Sequence, residues 1–350
     1  MESRVIFEID ATSVSGAIVS LSKEGQSEIL FDVRESFGPE KKFDSQHLLI
    51  SIKKCLEKVC AALLMKLGRK VSKIDCLLSS PYTASQNLSL RLEYREPVLI
   101  TKELLNFLVE KEIKDFENQH LAGQDGLDHT SHALVEKKIQ AVKLNGYPVS
   151  QPFGKMARRL EAHTYISIMP TILQAEIQEF LAPRFQLETH QVKFHSTFFC
   201  LFNLVRDIME KESFILVRVG EEMTDLGLVL ESSLVDMVSF PLGTNSLARL
   251  VAGNLGTLPE EGLTYLQGAG DNREGLLALE EWRALFQSNV QKFLEESLLP
   301  EECVLSAPDK VSDSFKSILE KGGSRVKQVS DILMVGFNQT FLCLSKSVNF

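Results

Sequence analysis

Few stretches of this chain combine residue types that do chemistry. Ser79-Ser80, just before Pro81, offers hydroxyls, but no histidine and aspartate accompany them as a Ser/His/Asp relay requires. His129 and His132 sit in the Gly/Asp/Ser-rich stretch AGQDGLDHTSH (122–132) without cysteines, so no metal site is expected there. The cysteines at 55, 60, 76, 200, 303 and 343 form no C-x-x-C pair and read as buried thiols of a reducing compartment. Glu280-Glu281 and Glu295-Glu296 are carboxylate pairs, but they fall on a helical stretch around Trp282 and read as solvated faces. Lys155, Arg158 and Arg159 form a small basic cluster that serves solubility and ion pairing, or else contact with a neighbouring subunit or acidic partner. Two polar turns remain: DATSVS (10–15) and GEEMTD (220–225), each setting carboxylates and hydroxyls between apolar, β-branched runs.

The elements around these turns repeat. RVIFEI (4–9), GAIVSLS (16–22) and EILFDVRESF (28–37) read as antiparallel strands. Leu48, Leu49, Ile52, Cys55, Leu56, Val59, Leu63, Leu64 and Leu67 then recur at three- and four-residue steps, which predicts an amphipathic helix ending near Gly68. KIDCLLSSP (73–81) is a short buried strand. The same order starts again at FILVRV (214–219), continues with LGLVLES (226–232) and SLVDMVSF (233–240), and reaches the helix NSLARLVAGNLG (245–256). CVLSAP (303–308) and DILMVGF (331–337) supply later strands, and Glu8 aligns with Arg218. A duplicated strand-strand-strand-helix-strand unit implies two lobes with a cleft between them, each lobe aiming its first polar turn at that cleft.

Between the units lies a third segment. It carries the helix ITKELLNFLVEKEIKDFENQ (100–119), with Thr101 as a candidate N-cap, the loop 122–132, and two strand-like runs joined by YPVSQPFG. A helix opening at Pro170 closes it, so that a small α+β subdomain over roughly 97–189 is expected. FHSTFFCLFNLV (194–205) is too short and too polar at His195 and Asn203 to cross a membrane and reads as a helix buried between layers.

Composition narrows the function classes. In 350 residues, 44% hydrophobic and 24% charged content is the balance of a globular protein with room for a core in each lobe. A formal charge of −9 argues against a general nucleic-acid binder, which would show a basic face. Charged residues appear at once in MESRVIFEID, so no signal peptide is expected, and no apolar run reaches spanning length.

KLNGYPVSQPFGKMARRLEAHTYISIM (143–169) resembles the inserted subdomain of the FtsA/PilM-type actin-like family, with its N-G-Y turn, P-x-G and following strand. VRVGEEMTDLGLVLESSLVDMVSFPLGTNSLARLVA (217–252) is similar to that family's second phosphate motif and the strands after it, and PYTASQ (81–86) fits as well. The resemblance covers most of the chain and implies an α/β, two-lobed actin-like fold, a duplicated ribonuclease-H-like unit with an inserted α+β subdomain. It divides the chain into a first lobe (1–96 with 190–212), an insertion (97–189) and a second lobe (213–350). It further implies ATP with magnesium held between the lobes, where two hairpin turns cradle phosphates with backbone N–H groups, glycines allow close approach, and acids hold the metal through water.

Carried over by position, the first loop is Glu8-Ile9-Asp10-Ala11-Thr12-Ser13, against a family pattern of roughly D-x-G-[ST]. Asp10 stands where a glycine is usual. The second loop runs Arg218 to Asp225, against D-x-G-G-x-x-T-D: Gly220, Thr224 and Asp225 match, Arg218 reverses a charge and Glu221 replaces a glycine. Gly243 precedes the following helix, and Gly336 is the one glycine left of a Gly-Gly turn near the adenosine, with Phe337 beside it. Two like charges ~4 Å apart repel by about 4 kcal/mol in a surface cleft, and about 1.4 kcal/mol already costs a tenfold loss of affinity. Asp10 and Glu221 would therefore weaken triphosphate binding if both faced phosphate, with magnesium or Arg218 offsetting part of the repulsion.

Two readings of the turns stand, plain hairpins of a degenerate member or a working nucleotide site. As a scaffold, the chain would be a cytoplasmic adaptor in cell division or type IV pilus assembly, peripheral at the inner membrane through a protein partner, self-associating or not, with no catalytic residue. The segment LCLSKSVNF (342–350) is not the amphipathic membrane helix of FtsA relatives, so direct insertion is not expected. As an enzyme, it would be an active ATPase or kinase of the actin and sugar-kinase superfamily, which needs acids on both loops or a general base. Arg218 and the missing glycines count against that.

Overall fold

The computed structural model describes residues 2–21, 27–38, 45–68, 70–121, 132–209, 211–294 and 299–329. Strands β1 (Glu2–Ile9), β2 (Ser13–Leu21) and β3 (Ser27–Ser36) form an antiparallel meander. Helix α1 (Ser45–Lys66) crosses the sheet and returns the chain to β4 (Ile74–Leu78), which lies parallel to β1. Most of the apolar stripe read from the sequence packs: Ile52, Leu56, Val59 and Leu63 join β-sheet residues Val5, Phe7 and Val14 in one core, while Leu64 stays exposed. β9 (Val192–Ser196) completes the sheet beside β4, giving the order β3-β2-β1-β4-β9.

The second lobe repeats this arrangement. β10 (Phe214–Val219), β11 (Thr224–Leu230) and β12 (Ser233–Phe240) are antiparallel, and β13 (Glu302–Ser306) and β14 (Arg325–Gln328) add in parallel, in the order β12-β11-β10-β13-β14. Helices α5 (Thr244–Leu255), α6 (Pro259–Gln267), α7 (Arg273–Leu294) and α8 (Asp309–Lys321) cover it. Trp282, fully buried on α7, centres that core among Phe240, Phe286 and Phe315. The expected strand 331–337 lies outside the described residues.

The inserted sheet has the order β5-β8-β6-β7, built from β5 (Ala84–Leu99), β6 (His132–Leu144), β7 (Tyr147–Pro148) and β8 (Met156–Pro170), with α2 (Lys102–Leu121) packed on it. Asn145 and Gly146 both take positive φ in the β6–β7 turn, as an Asn-Gly hairpin requires, and the Asn145 carboxamide oxygen accepts from the Arg158 and Arg159 amides. Residues 84–93, expected with the first lobe, pair with β8 of this sheet. Helix α3 (Thr171–Arg184), expected in the insertion, buries Leu173, Ile177 and Leu181 in the first-lobe core.

The apolar run 194–205 is not one helix. Its start belongs to β9, and the Ser196 side chain accepts the Phe199 N–H to cap α4 (Thr197–Ile208). Phe198, Phe199, Phe202 and Val205 of α4 join Phe214, Leu216, Val229 and Val304 of the second lobe in a shared core. Each fully buried phenylalanine there contributes about 2 kcal/mol. This apolar joint between the lobes outweighs any single neutral hydrogen bond across the cleft.

Candidate functional site

The pairing of each hairpin sets its turn. Ile9 pairs with Val14 and Val219 with Thr224, so the turns span Asp10–Ser13 and Gly220–Met223. Each is closed by one bond: Asp10 N–H to the Ser13 carbonyl and Gly220 N–H to the Met223 carbonyl, both at 2.9 Å. The two turns therefore share a backbone, and Asp10 and Gly220 are equivalent positions, as the alignment of Glu8 with Arg218 requires.

In the first turn, the amides that point out of the hairpin already have partners. Ala11 N–H donates to Asp10 Oδ1 at 2.9 Å, and Thr12 N–H donates to Glu221 Oε2 of the other turn. Glu221 also accepts from Thr12 Oγ1 at 2.8 Å, Ser13 Oγ at 2.9 Å and Arg34 Nη2 at 3.2 Å. Asn245, in the first turn of α5, donates to Thr12 Oγ1 at 3.2 Å.

The second turn is backed by α5. Thr244 and Asn245 donate their amides to the Gly220 and Glu221 carbonyls at 3.0 and 2.7 Å. Gly243 permits that approach, because a Cβ there would lie 2.6 Å from the Glu221 backbone. Glu222 turns away from the cleft and pairs with Arg249.

Beside the turns sits a buried charge cluster. Arg218 (7% exposed) donates from Nη2 to Asp10 Oδ2 at 3.0 Å and to Ser79 Oγ at 2.6 Å. Its Nη1 faces Asp225 Oδ2 at 3.7 Å, and neither atom has a hydrogen bond of its own. Asp225 (1% exposed) accepts through Oδ1 from Ser80 Oγ at 2.9 Å and Ser239 Oγ at 2.6 Å. Burial pushes the carboxyls of Glu8 and Asp225 above their ordinary values, with the Arg218 guanidinium pulling both the other way. Burial, then the nearby Asp10 charge, raises Glu221 to about 7, against the opposing pull of the Thr12 donors and Arg34.

The sequence-derived residues thus divide. Glu8, Asp10, Thr12, Ser13, Gly220 and Glu221 line a cleft of about 540 Å³, and Ala11 lies in the first turn. Asp225 stands behind Arg218, and Gly243 lies beneath the second turn. Thr224 faces the second-lobe core, taking the Trp282 indole N–H at 2.9 Å and donating to the Leu242 carbonyl at 2.7 Å. Gly336 is outside the described residues. Asp10 and Glu221, expected to face a common phosphate, each have a partner within the chain. Arg34, Ser79, Ser80 and Asn245 also belong to the site, though the sequence offers Ser79-Ser80 only as a candidate nucleophile and gives Arg34 and Asn245 no signal.

Magnesium-bound triphosphate does not fit the residues as arranged. The outward amides of the first turn are taken by carboxylates, and a guanidinium occupies the acid cluster where a metal would need those acids. Among the described residues, no group of three or more His, Cys, Asp or Glu is placed to hold a metal ion, and no helix is long and apolar enough to cross a membrane.

No family model and no curated protein sequence matches the chain. Solved structures do. The PilM-PilN type IV pilus biogenesis complex aligns at TM-score 0.65 and 12% identity, covering 99% of this chain and 98% of that one. The ethanolamine utilization protein EutJ from Carboxydothermus hydrogenoformans aligns at TM-score 0.53 and 10% identity, covering 99% and 90%. At these identities the likeness shows the fold, which is the actin-like ATPase fold.

Proposed function

We propose that this chain is an actin-fold adaptor that works by binding a protein partner and does not turn over ATP. The observation that carries this reading is the occupied first turn: Glu221 and Asp10 take its amides, and Arg218 sits among the acids beside it. The PilM structure is that of a protein in a pilus biogenesis complex, which favours assembly of a type IV pilus over cell division as the setting. The site of action would be the cytoplasmic face of the inner membrane, reached through the partner. The domain division that accompanies this reading is a first lobe over 2–78 with 171–208, an insertion over 84–170 and a second lobe over 214–329.

A second reading, an ATP-binding ATPase or kinase, draws on one observation. The cleft of about 540 Å³ extends past the turns to Leu263, Ser306, Pro308 and Lys310, leaving room for a ligand. Calorimetric titration of the purified chain with ATP and magnesium separates the two. The adaptor reading expects a Kd no tighter than about 1 mM and no phosphate release; micromolar binding or turnover overturns it. Arg218→Asp, Asp10→Gly and Glu221→Gly made together are expected to raise the affinity.

A further inference from the structure

Glu221 leaves its own hairpin to enter the other. A backbone amide, two hydroxyls and a guanidinium converge on its carboxylate, from Thr12, Ser13 and Arg34. That is the donor set of an oxyanion pocket: a turn N–H with hydroxyls for orientation and an arginine for charge. Glu221 itself is 9% exposed.

We propose that the Glu221 carboxyl group stands in for an oxyanion, filling a pocket of the first lobe that is otherwise competent to bind a phosphate group and so latching the two turns together without a ligand. The proposal deepens the adaptor reading and rests on it, since it names what holds the cleft shut in a chain that does not turn over nucleotide.

Three features support it. The pocket belongs to the first lobe alone, with Thr12 and Ser13 from its turn and Arg34 from β3. At the position equivalent to Glu221 that turn carries Ala11, too short to reach across, so the contact runs one way. Asp10, the acid that would repel an incoming anion, is already engaged, through Oδ1 by the Ala11 amide and through Oδ2 by Arg218. Finally, the lobes do not need Glu221 for cohesion, because the α4 joint supplies that. A buried carboxylate carries a desolvation cost that only its donors offset. Asp10 from the turn and Arg34 from β3 are the charged groups acting on it. A side chain held on those terms can withdraw when a competing oxyanion, or a partner that separates the turns, arrives.

The test uses the full chain, amide hydrogen exchange at Thr12, and inorganic phosphate as probe. In the wild type the Thr12 amide is expected to be protected without ligand. In Glu221→Gly it is expected to exchange at least about tenfold faster, phosphate should bind at least about tenfold tighter than to the wild type, and bound phosphate should restore protection. Adding Arg34→Ala to that variant should abolish the gained binding. Unchanged Thr12 exchange in Glu221→Gly, phosphate no tighter than wild type, or phosphate binding that survives Arg34→Ala overturns the proposal. If Glu221→Gly does not fold, Glu221→Gln keeps the bulk while removing the charge, and unaltered Thr12 exchange there overturns it equally. ATP turnover by the wild type would end the adaptor reading and leave the latch standing; fast Thr12 exchange in the wild type would do the reverse.

Discussion

The turns at Asp10–Ser13 and Gly220–Met223 are built alike and do opposite things. Both close with the same 2.9 Å hydrogen bond between strands of the same pairing. The first presents donors, Thr12 and Ser13, and the second presents a carboxylate to them. One position before each turn's last strand residue, Glu8 and Arg218 are of opposite charge, and the pair Arg218–Asp10 crosses the cleft in the reverse direction to Glu221. Duplication fixed the backbone twice; side-chain divergence made one copy the complement of the other. The cleft is self-complementary because each half carries groups that the other binds.

The sharpest break of that comparison removes the ionisable group at each of the equivalent strand positions. Arg218→Ala leaves Asp225 buried without its cation, so a destabilisation of about 3–5 kcal/mol is expected in urea unfolding. Glu8→Gln, at the matching position, is expected to change stability by less than about 1 kcal/mol, because burial already disfavours its charged form. Equal costs at the two positions would mean the halves are not complementary in this sense.

A pH series sharpens the same contrast. Folded Glu221 keeps its proton up to about 7, whereas its ordinary value is 4.5, so between them the native state holds more protons than the unfolded one. Its contribution to stability is therefore fully present below 4.5 and is lost as pH rises through about 7, by at most about 3 kcal/mol. Glu8, Asp225 and His195 are also raised and act with the same sign. Only the difference between wild type and Glu221→Gln isolates the latch: the variant should show a shallower fall of stability over that window. An identical pH profile would remove Glu221 from the account.

The smallest expected effect comes from Asn245→Ala, which deletes one bond across the cleft to Thr12. About 1 kcal/mol should be lost, measured by the same unfolding curves. A much larger loss would shift the weight of the joint from Glu221 to α5.

Much of the architecture could be read from local pattern. The β1–β3 meander, α1, β4 and their repetition in β10–β12 and α5 follow from period-two and three-four spacing, which each segment carries within itself. Some misses had visible signals. β5 alternates through Leu88, Leu90 and Leu92, and α8 repeats Val311, Phe315, Ile318 and Leu319, both legible as period-two and three-four spacing. The β9–α4 junction was blurred because an apolar run looks alike as strand or helix until Ser196 is seen as a cap. Asn87, given no role by the sequence, reaches the Val235 carbonyl of the second lobe at 2.6 Å.

The site was legible in its members and illegible in its pairing. Glu221, Arg218 and Asp10 were all recognisable as departures from a phosphate-binding pattern, and their charges suggested repulsion around a shared ligand. By itself the sequence determined two copies of one strand order, because hydrophobic period and turn composition act over a few residues. Only the tertiary structure decided that Glu221 meets Thr12 and Arg218 meets Asp10, across more than two hundred residues of chain. The physical reason is that a charge has no partner until packing brings one within hydrogen-bonding reach.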